Sequence, residues 1–122
     1  MEHKIWFEEE HQLLHIQIHG ELSTEDSQYM GNKAIELLDG KPYRQLIIDL
    51  SKFNNIISRE TRSRANELLN IAGITDVGFV GANAAGRMLA KVLMKLGSLK
   101  AESDFFKSFE EATNWLEKRR KK

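Results

Sequence analysis

The segment QLIIDLSKFNNIISRETRSRANELL, residues Gln45 to Leu69, contains the pattern that decides the fold. It opens with Leu46 to Leu50, a short apolar run that contains a single aspartate. Nearly continuous apolar residues are typical of a β-strand that is buried on both faces, as in parallel sheets. A linker follows, and from Ser58 onward the apolar residues recur at helical spacing. A buried strand that leads directly into an amphipathic helix predicts a unit of an α/β fold.

Ser58 lies where this second helix needs an N-cap, a side chain that accepts hydrogen bonds from free backbone N–H groups. The hydroxyl is then at the positive end of a helix, a position suited to a phosphate or another anion. We therefore consider Ser58 a candidate phosphoacceptor or anion contact; the alternative is an ordinary cap that contributes about 1 kcal/mol to stability. The predicted partner or ligand surface around it consists of Phe53, Ile56, Ile57, Arg59 and Arg62.

The rest of the chain continues the alternation of strands and helices. Two strands near the N-terminus predict an antiparallel hairpin, and a helix should begin after Ser23. Further expected elements are a strand at Val77 to Val80, a short strand at Leu99 to Ser103 and a last helix from Ser108. Between the first two we expect an amphipathic helix whose inner side consists of Met88, Leu89, Val92, Leu93 and Leu96. We expect one α/β domain over residues 1–122, with a mixed, mostly parallel sheet of four to five strands, an N-terminal hairpin and four helices.

The sequence resembles the STAS domain superfamily, in particular stand-alone proteins related to the sporulation anti-sigma-factor antagonists. The resemblance is carried by Gly20-Glu21-Leu22-Ser23, by Leu46 to Ser51, by Ser58 and by Phe105 to Leu116. It implies a non-enzymatic regulatory module that binds a protein partner, an anti-sigma-type kinase in the antagonists. In those proteins the serine at the start of this helix is phosphorylated, and the resemblance assigns that position to Ser58.

A second functional class is compatible with the linker. Phe53, Ile56 and Ile57 precede the helix, where surplus apolar side chains would be exposed or would line a groove. This favours, as the alternative, a carrier or sensor that holds a small apolar ligand or a lipid between the sheet and its helices.

Composition argues against several other classes. The 122 residues contain 18 basic and 18 acidic side chains, so no net charge recommends nucleic acid as a partner. Cysteine is absent, and no apolar stretch approaches the roughly 18 residues of an integral membrane segment, so we expect a cytoplasmic protein. The glycine-rich residues 81–86 lack the lysine and hydroxyl of a phosphate-binding loop, and we expect no cofactor.

No catalytic or metal-binding set is recognisable either. His15 and His19 share one side of a strand, but about 13 Å separates them, too far to bind one metal ion. Asp49, Asp76 and Asp104 fall near strand ends without a suitably spaced histidine or nucleophile, so we interpret them as structural caps. The basic C-terminal tail, residues 118–122, is expected to be a solvated helix end.

Overall fold

The computed structural model describes residues 2–53, 58–81, 83, 87–88, 91 and 100–120. Within them lie five strands and three helices. In chain order these are β1 (Lys4–Glu8), β2 (Leu13–Gly20), α1 (Thr24–Leu38), β3 (Gln45–Phe53), α2 (Arg59–Ile71), β4 (Asp76–Val80), β5 (Glu102–Phe106) and α3 (Phe109–Arg119). None of these helices is long and apolar enough to cross a bilayer.

The five strands form one mixed sheet in the order β1-β2-β3-β4-β5. The β1–β2 hairpin is antiparallel, whereas β2, β3, β4 and β5 run parallel to one another. The predicted α/β class, the hairpin and the mostly parallel sheet are therefore confirmed. The structure describes three of the four expected helices. The expected helix at Met88 to Leu96 lies mostly outside the described residues, although Arg87, Met88 and Lys91 are helical.

Two strands differ from their predicted bounds. β3 extends beyond Leu50 to Phe53, because its end pairs with the end of β2, where Gly20 lies opposite Phe53. The last strand begins at Glu102 instead of Leu99. Its position is decided by pairing with β4 and by packing of Phe105 against Phe79, with ring centroids 5.9 Å apart. Neither contact can be read from local sequence, because each depends on a distant strand.

The connections between parallel strands determine which face of the sheet each helix covers. Crossovers between parallel strands are almost always right-handed, which favours α1 and α2 on one face of the sheet, and both helices contribute to one core there. The larger core lies there and is formed by Leu14, Ile16, Ile18, Met30, Ala34, Leu38, Leu46, Ile48, Leu50, Phe53, Leu69, Ala72, Ile74, Val77 and Phe79. A smaller core lies on the opposite face beneath α3 and consists of Leu13, Ile47, Val80, Ala112 and Leu116.

The final helix begins at a serine cap, as predicted. The Ser108 hydroxyl accepts a hydrogen bond from the Glu111 N–H at 3.2 Å. The expected return bond from the Glu111 carboxylate goes to the N–H of Lys107, at 3.3 Å, one residue before the cap. One half of the predicted capping box is thus confirmed, and the other half is displaced by one residue.

The basic tail is not simply a solvated helix end, which corrects the expectation for Arg119 and Arg120. Arg119 forms an ion pair with the buried carboxylate of Asp76. Arg120 donates to the Gln45 side chain at 2.7 Å and to the backbone carbonyl of His11 at 2.7 Å. These bonds fasten the end of α3 to the sheet, because strand ends and a hairpin turn present acceptors there that sequence spacing does not reveal.

Candidate functional site

Ser58 is the N-cap of α2, as the sequence predicted. Its backbone is extended, with φ −67° and ψ 158°, and its hydroxyl oxygen accepts from the Thr61 N–H at 3.1 Å. The same hydroxyl donates to the Thr61 side-chain oxygen at 2.9 Å. Ser58 is exposed to solvent. The residue is therefore both a structural cap and an accessible hydroxyl at the positive end of a helix.

A chain of hydroxyl groups connects this cap to the start of α1. The Thr61 hydroxyl is buried and lies 2.7 Å from the Thr24 hydroxyl. Because Ser58 donates to Thr61, the hydrogen of the Thr61 hydroxyl is available for Thr24. The N-termini of α1 and α2 therefore lie side by side, and their positive ends reinforce each other. Acidic residues in the two first turns, Glu25, Asp26 and Glu60, partly compensate this potential.

The other predicted surface residues do not all join Ser58 at the surface. Arg59 is exposed beside the cap, and Arg62, one turn into the helix, is half-buried. Phe53 is completely buried in the larger core, so its expected place on an exposed surface was wrong. The linker interpretation failed for Phe53 because β3 continues past its predicted end at Leu50 as far as Phe53. Ile56 and Ile57 lie outside the described residues.

A polar network that sequence reasoning missed follows the ends of β2 and β3. The Gln17 amide donates to the Asp49 carboxylate at 2.8 Å, and a His19 ring nitrogen lies 2.7 Å from the Gln17 side-chain oxygen. The same carboxylate accepts from the Ser51 N–H at 2.9 Å. Gly81, which follows β4, lies against this carboxylate, and a Cβ atom on Gly81 would be 2.8 Å from Oδ1 of Asp49. The period of β2 places Gln17 and His19 on one side, but only the parallel register shows that Asp49 is their neighbour.

The three aspartates singled out in the sequence all have structural partners. Asp49 joins the network just described, and Asp104 accepts from the Phe105 N–H at 2.8 Å. Burial alone would raise the pKa of Asp76, but hydrogen bonds from Arg119, Thr75 and Gln45 outweigh it and lower the pKa below its ordinary value. Asp76 is consequently a charged anchor for α3.

His15 is enclosed by aromatic rings on the face that carries α3. It stacks on Trp6, with centroids 5.1 Å apart and planes 11° apart, and its centroid is 6.0 Å from that of Phe109. Desolvation in this setting lowers the pKa of His15, despite opposing attraction from Glu8. Its Nε2 atom is buried and has no hydrogen-bond partner in the part of the chain that the structure describes. This places His15 in a structural stack, away from His19.

Glu8, Glu10 and His11 form a small cluster at the hairpin turn. One potential ligand atom from each lies within 4.8 Å of the others, a proximity that the sequence interpretation did not anticipate. The Glu8 carboxylate also accepts from the His11 N–H at 2.5 Å. This bond closes the turn and gives the arrangement a structural explanation.

A cavity of about 60 Å³ lies between the sheet and helices α1 and α2. Nearly all of its lining is apolar, and Ser27 contributes a hydroxyl that has no hydrogen-bond partner among the described residues. The lining residues are Ile16, Ile18, Leu22, Ser27, Met30, Gly31, Ala34, Ile48, Leu50, Ala65, Leu68, Leu69 and Phe79.

Comparison with known proteins identifies the family and the fold. The chain matches the domain of unknown function DUF7793 over residues 5–120, and no curated protein matches it. An uncharacterised Shewanella loihica PV-4 protein of the DUF3478 family, with a SpoIIAA-like fold, is 20% identical; the match covers 93% of each chain, with a TM-score of 0.70. The S58E variant of Moorella thermoacetica RsbS, numbered as in that protein, is 13% identical; the match covers 100% of each chain, with a TM-score of 0.65. The chain therefore belongs to the DUF7793 family, and it has the SpoIIAA-like fold that its resemblance to STAS domains implied.

Proposed function

We propose that this protein is a non-enzymatic regulatory module that binds a protein partner at the N-terminus of α2. The observation that carries the proposal is the exposed Ser58 hydroxyl, which caps a helix beside the start of a second helix. Arg59 is exposed at the same place, and Arg62 extends the surface along α2. Residues 56 and 57 adjoin this surface in sequence and complete the set that we propose contacts the partner.

We further propose that phosphorylation of Ser58 switches this surface. A phosphate there would add about 1.5 to 2 negative charges and could accept from the N–H groups that begin α2. It would also remove the hydrogen that Ser58 now donates to Thr61, and with it one bond of the chain that joins α1 to α2. The new charge would lie next to Arg59 and one turn before Arg62, so it would offset the positive charge of this surface.

We propose that the partner is a kinase of the anti-sigma type. The fold shared with the RsbS variant supports this partner class. In that variant a serine is replaced by glutamate, which carries a negative charge. The local sequence Ile57-Ser58-Arg59-Glu60 lacks the acid before the serine and the glycine after it that mark the acceptor motif of the antagonists. We therefore expect a partner that recognises Arg59 instead of a small residue at this position.

The proposal is tested with three baits that differ only at residue 58. Wild-type protein, Ser58→Asp and Ser58→Ala are each used to capture partners from cell lysate, and the captured proteins are identified by mass spectrometry. Aspartate is as good an N-cap as serine, so Ser58→Asp changes the charge while it preserves the start of the helix. We expect a kinase-like partner that binds wild type and Ser58→Ala but loses affinity for Ser58→Asp.

Ser63→Asp is the matched control, because Ser63 is exposed on the same helix without capping it. Equal capture by wild type and by Ser58→Asp would refute the switch, and equal loss from Ser58→Asp and Ser63→Asp would show only an effect of net charge. Charge reversal tests the rest of the surface: Arg59→Glu should reduce capture, whereas Arg64→Glu should not. Arg64 already pairs with Glu67 at 3.3 Å on the same helix.

A second candidate function rests on the cavity between the sheet and α1 and α2. Its apolar lining and the single Ser27 hydroxyl suit a small apolar ligand that carries one hydrogen-bonding group. Native mass spectrometry of gently purified protein would reveal a co-purifying mass that disappears in Ala65→Met, which places a longer side chain at the cavity wall. Absence of any bound mass would reject this alternative and would leave the partner-binding proposal unaffected.

A further inference from the structure

β1 is the edge strand of the sheet next to the antiparallel hairpin partner β2. No described strand pairs with its outer side, so its outer backbone N–H and C=O groups are available to another strand. Trp6, at the centre of β1, is 41% exposed. Its ring is already held in place by stacking on His15, so a partner that covers it would immobilise little additional side-chain freedom.

We propose that two copies of this chain pair through β1, antiparallel and about a two-fold axis at Trp6, to form a continuous ten-stranded sheet. In this register Trp6 lies opposite Trp6 of the second copy, and Ile5 lies opposite Phe7. Lys4 lies opposite Glu8, and by symmetry Glu8 lies opposite Lys4. The sequence KIWFE is thus complementary to itself when one copy is reversed.

The charges of β1 select this arrangement. Lys4, Trp6 and Glu8 alternate with Ile5 and Phe7, so they project from the face that carries α3. Lys4 is exposed and has no ion pair within the described residues. The Glu8 side chain is 27% exposed, although it accepts a hydrogen bond that closes the hairpin turn. Opposite charges that face each other across neighbouring strands favour pairing, whereas like charges oppose it.

The other edge of the sheet does not offer a comparable match. Reversing a second copy of β5, with its sequence ESDFF, about the strand centre places Asp104 opposite Asp104. Like charges would then meet at the two-fold axis. Pairing of β1 with β5 of a second copy would leave a free edge at each end and would produce open chains of molecules. The two-fold β1 pair is closed, and for this reason we prefer a dimer.

Five residues from each copy form a small interface, so we expect a weak dimer that depends on concentration. Sedimentation equilibrium from about 10 µM to about 1 mM covers the range in which such a dimer dissociates. We expect wild type to show a monomer–dimer equilibrium. Lys4→Glu places two glutamates opposite each other at both ends of the interface, and Glu8→Lys places two lysines there. Each variant should raise the dimer dissociation constant at least tenfold.

An equimolar mixture of Lys4→Glu and Glu8→Lys provides the decisive comparison. In a mixed dimer every charged pair is again opposite in sign, so the mixture should recover association that neither variant shows alone. Recovery in the mixture shows that opposite charges on β1 hold the two copies together, and the register is tested separately by the introduced thiols described below. Lys100→Glu, at an exposed lysine outside β1, should leave the dissociation constant unchanged. Circular dichroism confirms that each variant is folded. If the hairpin turn does not tolerate lysine, Glu8→Gln is tested without a mixture: it removes both opposite-charge pairs and should raise the dissociation constant.

Wild type that stays monomeric over the whole range, or a mixture that fails to associate, would overturn the proposal. Because the chain has no cysteine, a single introduced thiol gives an independent measurement. Residues directly opposite each other in antiparallel strands lie about 4.5–5.5 Å apart, within the Cα separation of a disulfide. Trp6→Cys should therefore form a covalent dimer on mild oxidation.

Lys4→Cys is the control for chance collisions, because the two thiols would be about 13 Å apart in the proposed register. Equal cross-linking of Trp6→Cys and Lys4→Cys would also overturn the proposal. This inference does not rest on the function proposed for Ser58, which lies on α2. Failure of the β1 pair would leave capture of a partner by Ser58 intact, and loss of that capture would leave the dimer intact.

Discussion

Replacing Gly31 by alanine tests how closely α1 and α2 are packed. Gly31 is buried in α1, and a Cβ atom there would lie 2.6 Å from Cδ1, 2.7 Å from Cβ and 2.9 Å from Cγ of Leu68. Ordinary carbon contacts are 3.5–4.0 Å. The Cβ atom of Leu68 is fixed by the backbone of α2, so no rotamer of that side chain can relieve the contact. The two helices must therefore move apart.

The free energy of this change is a balance of two opposing effects. Alanine inside a helix is about 1 kcal/mol more favourable than glycine. Inserting a methyl group into a packed core costs about 1–3 kcal/mol, and this site belongs at the upper end because a backbone must shift. We expect Gly31→Ala to destabilise the protein by about 1–2 kcal/mol, which corresponds to a decrease in Tm of roughly 3–8 °C.

Urea denaturation followed by circular dichroism measures the change, with an unaltered slope showing that the denatured state is the same. Ser63→Ala is the control, because Ser63 is exposed on α2 and its replacement should be neutral or stabilise by a few tenths of a kcal/mol. Gly31→Ala protein as stable as wild type, or more stable, would refute the inferred closeness of the two helices.

Three further predictions concern the cap, the anchor of α3 and the aromatic stack. Ser58→Ala should lower the free energy of unfolding by about 1 kcal/mol, and Ser58→Asp by less, since aspartate also caps; equal losses in urea titrations would contradict the capping geometry. Asp76→Asn removes the ion pair with Arg119 and should cost about 2 kcal/mol at pH 7. The pKa of Asp76 is lowered on folding, so the stabilisation that its charged form provides is complete above the unfolded pKa of 3.8 and is lost as pH falls through the lower folded pKa. The difference in stability between wild type and Asp76→Asn should therefore shrink in acid. The pKa of His15 is also lowered on folding, so wild type should lose stability as pH falls below 6.5, where the histidine of the unfolded chain becomes protonated. His15→Phe has no such proton to bind, so its Tm should fall less over the same pH range.

The sequence of one segment was sufficient to predict the centre of the fold. The nearly continuous apolar residues from Leu46 to Leu50 indicate burial on both faces, and the serine before α2 satisfies backbone donors that no preceding turn can satisfy. Both signals are local, since the strand pattern and the cap each depend on a few adjacent residues. The structure confirms both, with Ser58 at the cap and Leu46 to Leu50 buried.

The sequence did not predict correctly which side chains are exposed and which find distant partners. Phe53 was assigned to an exposed linker, but pairing with Gly20 in β2 extends β3 and buries the ring. Arg119 and Arg120 were expected to be solvated, yet they find acceptors at strand ends more than 40 residues away in sequence. Local patterns carry no information about such partners, because the partners are brought close only by the register of the sheet.

The sequence by itself therefore determined the class of elements, their order and the hydroxyl that begins α2, because helix periodicity, strand burial and capping are properties of neighbouring residues. Only the tertiary structure decided that α1 and α2 begin side by side, that Asp49 joins Gln17, and that β1 is left as an edge with Trp6 exposed. These features arise from long-range pairing of strands, in which a shift of one residue would turn every side chain to the opposite face of the sheet.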